Sequence, residues 1–289
     1  MWGTKERSRP MTFMQLSDRK VIRVTGTDAS KFLQGLLSAE IDEVTPDTPR
    51  TAALLTPQGK ILFDMLIFKK GGAYFLDCSA VAADDLAERL SFYRLRVNVD
   101  IILAPECHAV WSPISEHNTA DLAVDPRLAQ LGNRGISDIR PQDDGTNTYH
   151  QTRIHAGIAE AYVDYAPNII FPHQANLDLL AGVSFTKGCF IGQEVVSRIH
   201  HRSSVKKRFL PCDVIGDVPP SSTEIKVGAR KIGHTGSSSG NEILALLHLD
   251  QIKTRLDGDK PIKCLQSSLT PRFPDWLVTA LTKEGHKPS

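Results

Sequence analysis

No two of the five cysteines (Cys78, Cys107, Cys189, Cys212 and Cys264) stand at CxxC spacing, and their number is odd. That argues against a disulfide framework, a zinc knuckle and the clustered ligands of a ferredoxin, and for a reducing compartment. No GxGxxG and no P-loop occurs anywhere, so nucleotide binding of either kind has no support. No apolar window reaches the length of a membrane span, and the basic leader MWGTKERSRPMTF lacks the apolar run of a secretory signal. Charge of one sign is missing too: 34 Lys and Arg face 33 Asp and Glu, for a net charge of +1. No global field draws the chain to DNA or to a membrane. Few aromatics interleave with the basic cluster Arg198, His200, His201, Arg202, Lys206, Lys207 and Arg208, so an RNA-stacking surface is not expected either. A cytosolic protein is the default, with the mitochondrial matrix as the alternative in a eukaryote.

At 289 residues the chain is too long for one small core and suggests two or three domains. Lys20–Val24 alternates like a strand. Asp28 or Thr27 then caps a helix with Phe32, Leu33, Leu36 and Leu37 on one face. Strands follow at Ala52–Leu55, Ile61–Phe68 and Ala73–Leu76, then an amphipathic helix at Ala80–Leu90 and a strand at Val97–Leu103. This order predicts helices on one face of a largely antiparallel sheet. Residues 112–144 are rich in Pro, Gly, Asn and Asp and read as loops with short strands. Tyr149–Ala156 reads as a helix stopped by Gly157, and Leu177–Leu180 as a short helix. After Lys207, short strands at Arg208–Val214, Glu224–Val227, Lys231–Thr235, Ile243–Leu249 and Pro261–Leu265 predict a small barrel or sandwich.

The most informative stretch is Lys187–Glu194, KGCFIGQE. Cys189 follows a glycine and precedes a predicted helix whose first turn holds Gln193 and Glu194. Free cysteine is commonly a small packed residue. Here the helix N-terminus and Lys187 favour the thiolate and support the competing reading, a reactive or ligand-facing thiol. Gly188 lets the backbone approach a ligand or adopt positive φ, and Gly192 permits close packing. Gln193 and Glu194 either suit the helix start or hold the Cys189 loop and a ligand's polar edge. His200 and His201 are adjacent on the helix and diverge, so no resident metal is expected.

The octet, with FLQGLLSAEI at Phe32–Ile41, TPQGKILFD at Thr56–Asp64 and the stretch Phe171–Leu210, resembles the YgfZ-type folate-binding proteins. These are relatives of the glycine-cleavage T-protein, an aminomethyltransferase, and are associated with iron–sulfur enzyme maturation. The resemblance implies an α+β, T-protein-like architecture: two interleaved α+β units around a central folate opening, plus a C-terminal β-barrel. Expected boundaries are 1–108, 109–206 and 207–289. It implies a tetrahydrofolate ligand and iron–sulfur client proteins. Cys189 is the expected reactive residue, shaped by Lys187, Gly188, Gly192, Gln193 and Glu194. Asp64, Asn176 and Arg198 are further candidates for ligand contact, Asp64 as the acid that would stabilise a cationic nitrogen. The alternative is a true aminomethyltransferase moving a one-carbon unit to tetrahydrofolate. Phe63 and His155 stand where those enzymes carry acids, so transfer activity is in doubt.

Overall fold

The computed structural model describes residues 13–113, 122–202, 205–256 and 261–283. Most of the basic leader and of the polar tail 283–289 lies outside them. A two-residue strand, β1 (Met14–Gln15), precedes β2 (Arg19–Thr25), α1 (Ala29–Leu36), β3 (Arg50–Leu55), β4 (Ile61–Lys70), β5 (Ala73–Ser79), α2 (Ala83–Tyr93) and β6 (Asp100–Leu103). Strands β2 to β6 form one antiparallel sheet in the order β3-β4-β5-β2-β6.

Alternation along each strand gives this sheet two different faces. Met65 and Ile67 of β4, with Ile22, Val24 and Leu76, pack under Phe32 and Leu33 of α1 and Leu86 and Leu90 of α2. Leu66, Phe68, Val21 and Phe75 point the other way and meet Ala109 and Ile136 of a second sheet. That sheet contains β7 (His108–Ser112), β8 (Ala123–Val124) and β9 (Asn133–Ser137) in the order β1-β7-β9-β8. Asp64, next to Leu66 in the alternation, and Asp77, opposite Val21, therefore face the seam between the two sheets.

Helix α3 (Thr146–Ala156) ends at Gly157, which takes φ 82° as left-handed C-terminal caps do. The expected helix at Leu177–Leu180 is instead a run of turns after a 3-10 segment, Pro172–Ala175. Asn176, at φ 62°, ends that segment and turns the chain. Helix α4 (Gln193–His201) follows the octet's loop.

The rest closes into a six-stranded barrel: β10 (Lys207–Ile215), β11 (Glu224–Val227), β12 (Arg230–Ser239), β13 (Glu242–His248), β14 (Ile262–Cys264) and β15 (Ser267–Pro271), with α5 (Leu249–Leu256) and α6 (Asp275–Lys283). Pairing of β15 with β10 completes the closure. Strand β15 and both helices were not anticipated from the sequence. β15 reads SSLTP, too polar and too short to stand out from the turns around it.

Candidate functional site

Beside the apolar contact of Leu66 and Phe68 with Ala109 and Ile136, part of the seam between the two sheets is filled by charge. Arg19 Nε donates to Asp77 at 2.7 Å, and Arg134 bonds the other oxygen of that carboxylate. Arg127 reaches Asp125 and Glu160, each at 2.7 Å, and Arg153 donates to Asp164 at 2.7 Å. Tyr149 donates its hydroxyl to Glu160, whose second oxygen faces Arg19 at 3.5 Å and Arg153 at 3.8 Å. Burial alone would push the Glu160 carboxyl up. Arg19, Arg153 and Arg127 outweigh that and hold it well below the usual carboxylate range. Asp77 is likewise held low against its burial by Arg134 and Arg19.

Asp64 is different. Its carboxylate accepts the Ala161 N–H at 2.8 Å and the Tyr165 hydroxyl at 3.0 Å, and no arginine among the described residues bonds it. Burial raises its pKa, and repulsion from Glu160 adds to the rise. Four guanidinium groups (Arg19, Arg127, Arg134, Arg153) match four carboxylates (Asp77, Asp125, Glu160, Asp164) in ion pairs. Asp64 is the fifth acid: among the described residues none of these cations pairs with it, and the attraction of Arg19 does not outweigh burial and the repulsion from Glu160. It lines a cavity with Arg19, Thr51, Arg127, Glu160 and Leu177. That cavity measures about 10 Å³, room for one water rather than the expected pterin-sized opening.

The octet lies apart from this cavity. Cys189 is exposed, while its neighbour Phe190 turns inward among Tyr165, Leu177 and Val196. Lys187 is buried and donates to the carbonyls of Leu37 at 2.9 Å and Ala39 at 2.6 Å. Burial pulls its ammonium down to about 8, against the pull of Glu40 and Asp42. Gly188 has open space around it and does not take a left-handed φ, so the expected positive-φ use of that glycine does not hold. The sharp bend belongs to Gly192, at φ 80°, where an added Cβ would meet the Thr56 carbonyl oxygen at 2.5 Å. Gln193 does reach back, its side-chain amide lying 3.4 Å from the Lys187 carbonyl oxygen.

Three expected ligand contacts are engaged elsewhere. Asn176 is buried, donates to the Phe209 carbonyl at 3.0 Å and accepts from Arg208, so it ties the loop to the barrel. Glu194 and Arg198 pair with each other on the exposed face of α4. His155 is exposed and bonds Glu242 of the barrel at 2.9 Å, far from an interior role. Phe63 is buried and stacks on Tyr162, with ring centroids 6.0 Å apart.

Comparison with known proteins adds a lineage to this geometry. The chain is 31% identical to the mouse mitochondrial iron–sulfur cluster assembly factor IBA57, over 93% of the chain and 86% of that protein. The human counterpart matches at 30% identity, over 92% and 85%. The chain belongs to the IBA57 family. Its C-terminal part, residues 206–279, matches the model of the CAF17 C-terminal beta-barrel domain. The fold of this IBA57-family chain is also that of the glycine cleavage system aminomethyltransferase T from Bartonella henselae. The TM-score is 0.70 and the identity 14%, over 92% of this chain and 86% of that one.

Within this IBA57-family chain, sequence reasoning singled out Asp64 as a candidate, which the structure shows to be a buried acid, and missed the network beside it. A signal was present: Asp77 interrupts the apolar strand AYFLDCS, and Arg134 sits in the short strand NRGIS. Strands disfavour such residues without a reason. Glu160 and Asp164 stand among small apolar residues in AGIAEAYVDYA, which reads as loop until partners are supplied by four other segments.

Proposed function

We propose that the chain binds tetrahydrofolate beside Asp64 and supports the assembly or repair of iron–sulfur clusters in client enzymes, a YgfZ-type role. The names of its relatives support the cluster half, and the aminomethyltransferase fold is compatible with the folate half. The observation that carries the ligand reading is the fifth, unpaired carboxyl of the seam. A buried carboxylate without a cation stabilises a protonated ring nitrogen or an iminium brought next to it. A pterin needs more room than one water, so binding in this reading opens the cavity between Leu177 and the loop carrying Ala161 and Tyr165. Cys189 is the reactive residue of the proposal, acting at the surface where another molecule can reach it. The mitochondrial location of the relatives favours the matrix over the cytosol for this chain too.

Calorimetric titration of the purified chain with tetrahydrofolate under reducing conditions tests the first half. Saturable binding that is lost in Asp64→Asn supports it. No heat at near-millimolar ligand leaves less than about 4 kcal/mol of affinity and removes it. For the second half, Cys189→Ala should fail to restore iron–sulfur enzyme activity in cells lacking the chain, while folding normally. Full restoration would discard the role of the thiol. Robust transfer of a one-carbon unit from an aminomethylated lipoyl carrier would favour the aminomethyltransferase reading instead. The buried Phe63 and the surface position of His155 weigh against that outcome.

A further inference from the structure

Among the described residues outside the seam, one buried side chain has no partner for either of its polar atoms. His173, in the 3-10 segment Pro172–Ala175, is 1% exposed, and neither Nδ1 nor Nε2 makes a hydrogen bond. A neutral imidazole carries one N–H and one lone pair, and leaving both unsatisfied in the interior is costly. The segment does not place it there by accident of mobility. The His173 carbonyl accepts Arg208 Nη1 at 2.8 Å, which fixes the backbone that carries the ring.

Two other ligand-type residues converge on it. His200, in the last turn of α4, stacks on Phe185 with centroids 3.8 Å apart and lies 6.2 Å from the His173 ring. Asp178 is held in a two-pronged pair by Arg208, at 2.9 and 2.8 Å. One ligating atom from each of His173, Asp178 and His200 lies within 4.8 Å of the others. Around a tetrahedral zinc ion, bond lengths near 2.0–2.1 Å put neighbouring ligand atoms roughly 3.3 Å apart. Rotation of the half-buried His200 side chain can bring it toward His173 and Asp178, whose carboxylate is buried and held by Arg208.

We propose that His173, Asp178 and His200 form a binding site for a divalent first-row transition cation. Two imidazoles and one carboxylate suit zinc or ferrous iron and leave coordination positions open for water or an outside ligand. Arg208 is the outer partner that orients the carboxylate, as ligating carboxylates are hydrogen-bonded in metal sites. Arg208, bonded to the Asp178 carboxylate and to the His173 carbonyl, also places a positive charge beside the site that works against a dication, so the expected affinity is roughly micromolar rather than nanomolar. Sequence reasoning compared His200 with its neighbour His201. The fold instead brings it to a histidine from another segment. The site stands independently of the folate reading.

The test uses the full chain, stripped with a chelator and titrated with cobalt(II), zinc(II) and, without oxygen, iron(II). Cobalt visible absorption and calorimetry should report one ion per chain. His173→Gln and His200→Gln should each weaken binding by at least about tenfold, the loss that even outer partners of a metal can cause. His201→Gln and Cys189→Ser should bind as the unaltered chain does. Zinc should raise the melting temperature of the unaltered chain and not that of His200→Gln, which keeps the test informative if the buried His173 variant folds poorly. Absence of cobalt binding up to millimolar metal, or equal binding by the two histidine variants, would overturn the proposal. Binding of inorganic phosphate lost in the same variants would overturn it as well, by making the pocket an anion site.

Discussion

Glu160→Gln should be among the most damaging single changes in the molecule, although it removes no bulk. The carboxylate accepts from Arg127 and Tyr149 and faces Arg19 and Arg153, all with side chains buried at the seam. The amide keeps the shape and one acceptor oxygen but turns the other into a donor aimed at guanidinium N–H groups. Four guanidinium groups then face three paired carboxylates. Breaking a buried ion pair by removing one partner costs about 3–5 kcal/mol, because the remaining charge stays desolvated. At about 2–4 °C per kcal/mol for a large domain, the melting temperature should fall by roughly 6–20 °C. The excess positive charge also lowers the pKa of Asp64, because Glu160 repulsion is one of its causes. Differential scanning calorimetry and urea unfolding at pH 7 read the effect. Glu194→Gln, which breaks only the exposed pair with Arg198, should leave both curves where they are. A Glu160→Gln chain as stable as the parent would show that the seam is wet or differently paired, and the ion-pair account of it would fail.

Asp64→Asn should do the opposite at neutral pH. Its raised pKa means the native state holds that proton more tightly than the unfolded chain does. Stability from the protonated form is therefore complete below about 3.8, the ordinary value, and is lost as pH rises through the folded value. The advantage of Asn over Asp should grow from pH 4 to pH 7 in urea titrations, while ligand binding disappears; a constant difference would refute the assignment. Lys187 carries the reverse sign. Its native pKa near 8 lies below the ordinary 10.5, so the native state binds fewer protons between those values and gains stability as pH rises through that window. Comparison with Lys187→Met at pH 7.5 and 10 checks this, and a pH-independent difference would contradict it. Gly192→Ala should cost at least about 1–2 kcal/mol for a side chain in the left-handed region, plus the clash with the Thr56 carbonyl. An unchanged denaturation midpoint would mean that the bend relaxes freely.

What could be seen beforehand followed range and repetition. The strands of the first sheet and both of its helices announce themselves by apolar periodicity, as in Ile61–Phe68 and in the face made by Phe32 and Leu33. Gly157 marks the end of α3 because a left-handed cap is a local need. The Cys189 loop was legible as a special segment but not in its details. The buried member of the octet is Lys187, and the bend is at Gly192 rather than Gly188. The seam was not legible, because the ion pairs that tie it across the fold join distant residues, such as Arg19 with Asp77 and with Glu160, 58 and 141 positions apart. The same holds for His173 and His200, whose meeting depends on how the 3-10 segment packs on α4. Side chains whose meaning lies in a distant partner leave no periodic trace.

The polar seam has a mechanical consequence. Two oily faces resist separation because every ångström of gap exposes surface that water will not wet. The charged part of this joint, unlike the apolar contact of Leu66 and Phe68 with Ala109 and Ile136 beside it, offers water something to solvate at each step, so that part can open a little at a time with the incoming molecules taking over the bonds. Such a joint suits a structure that must admit a guest between its layers and then shut again.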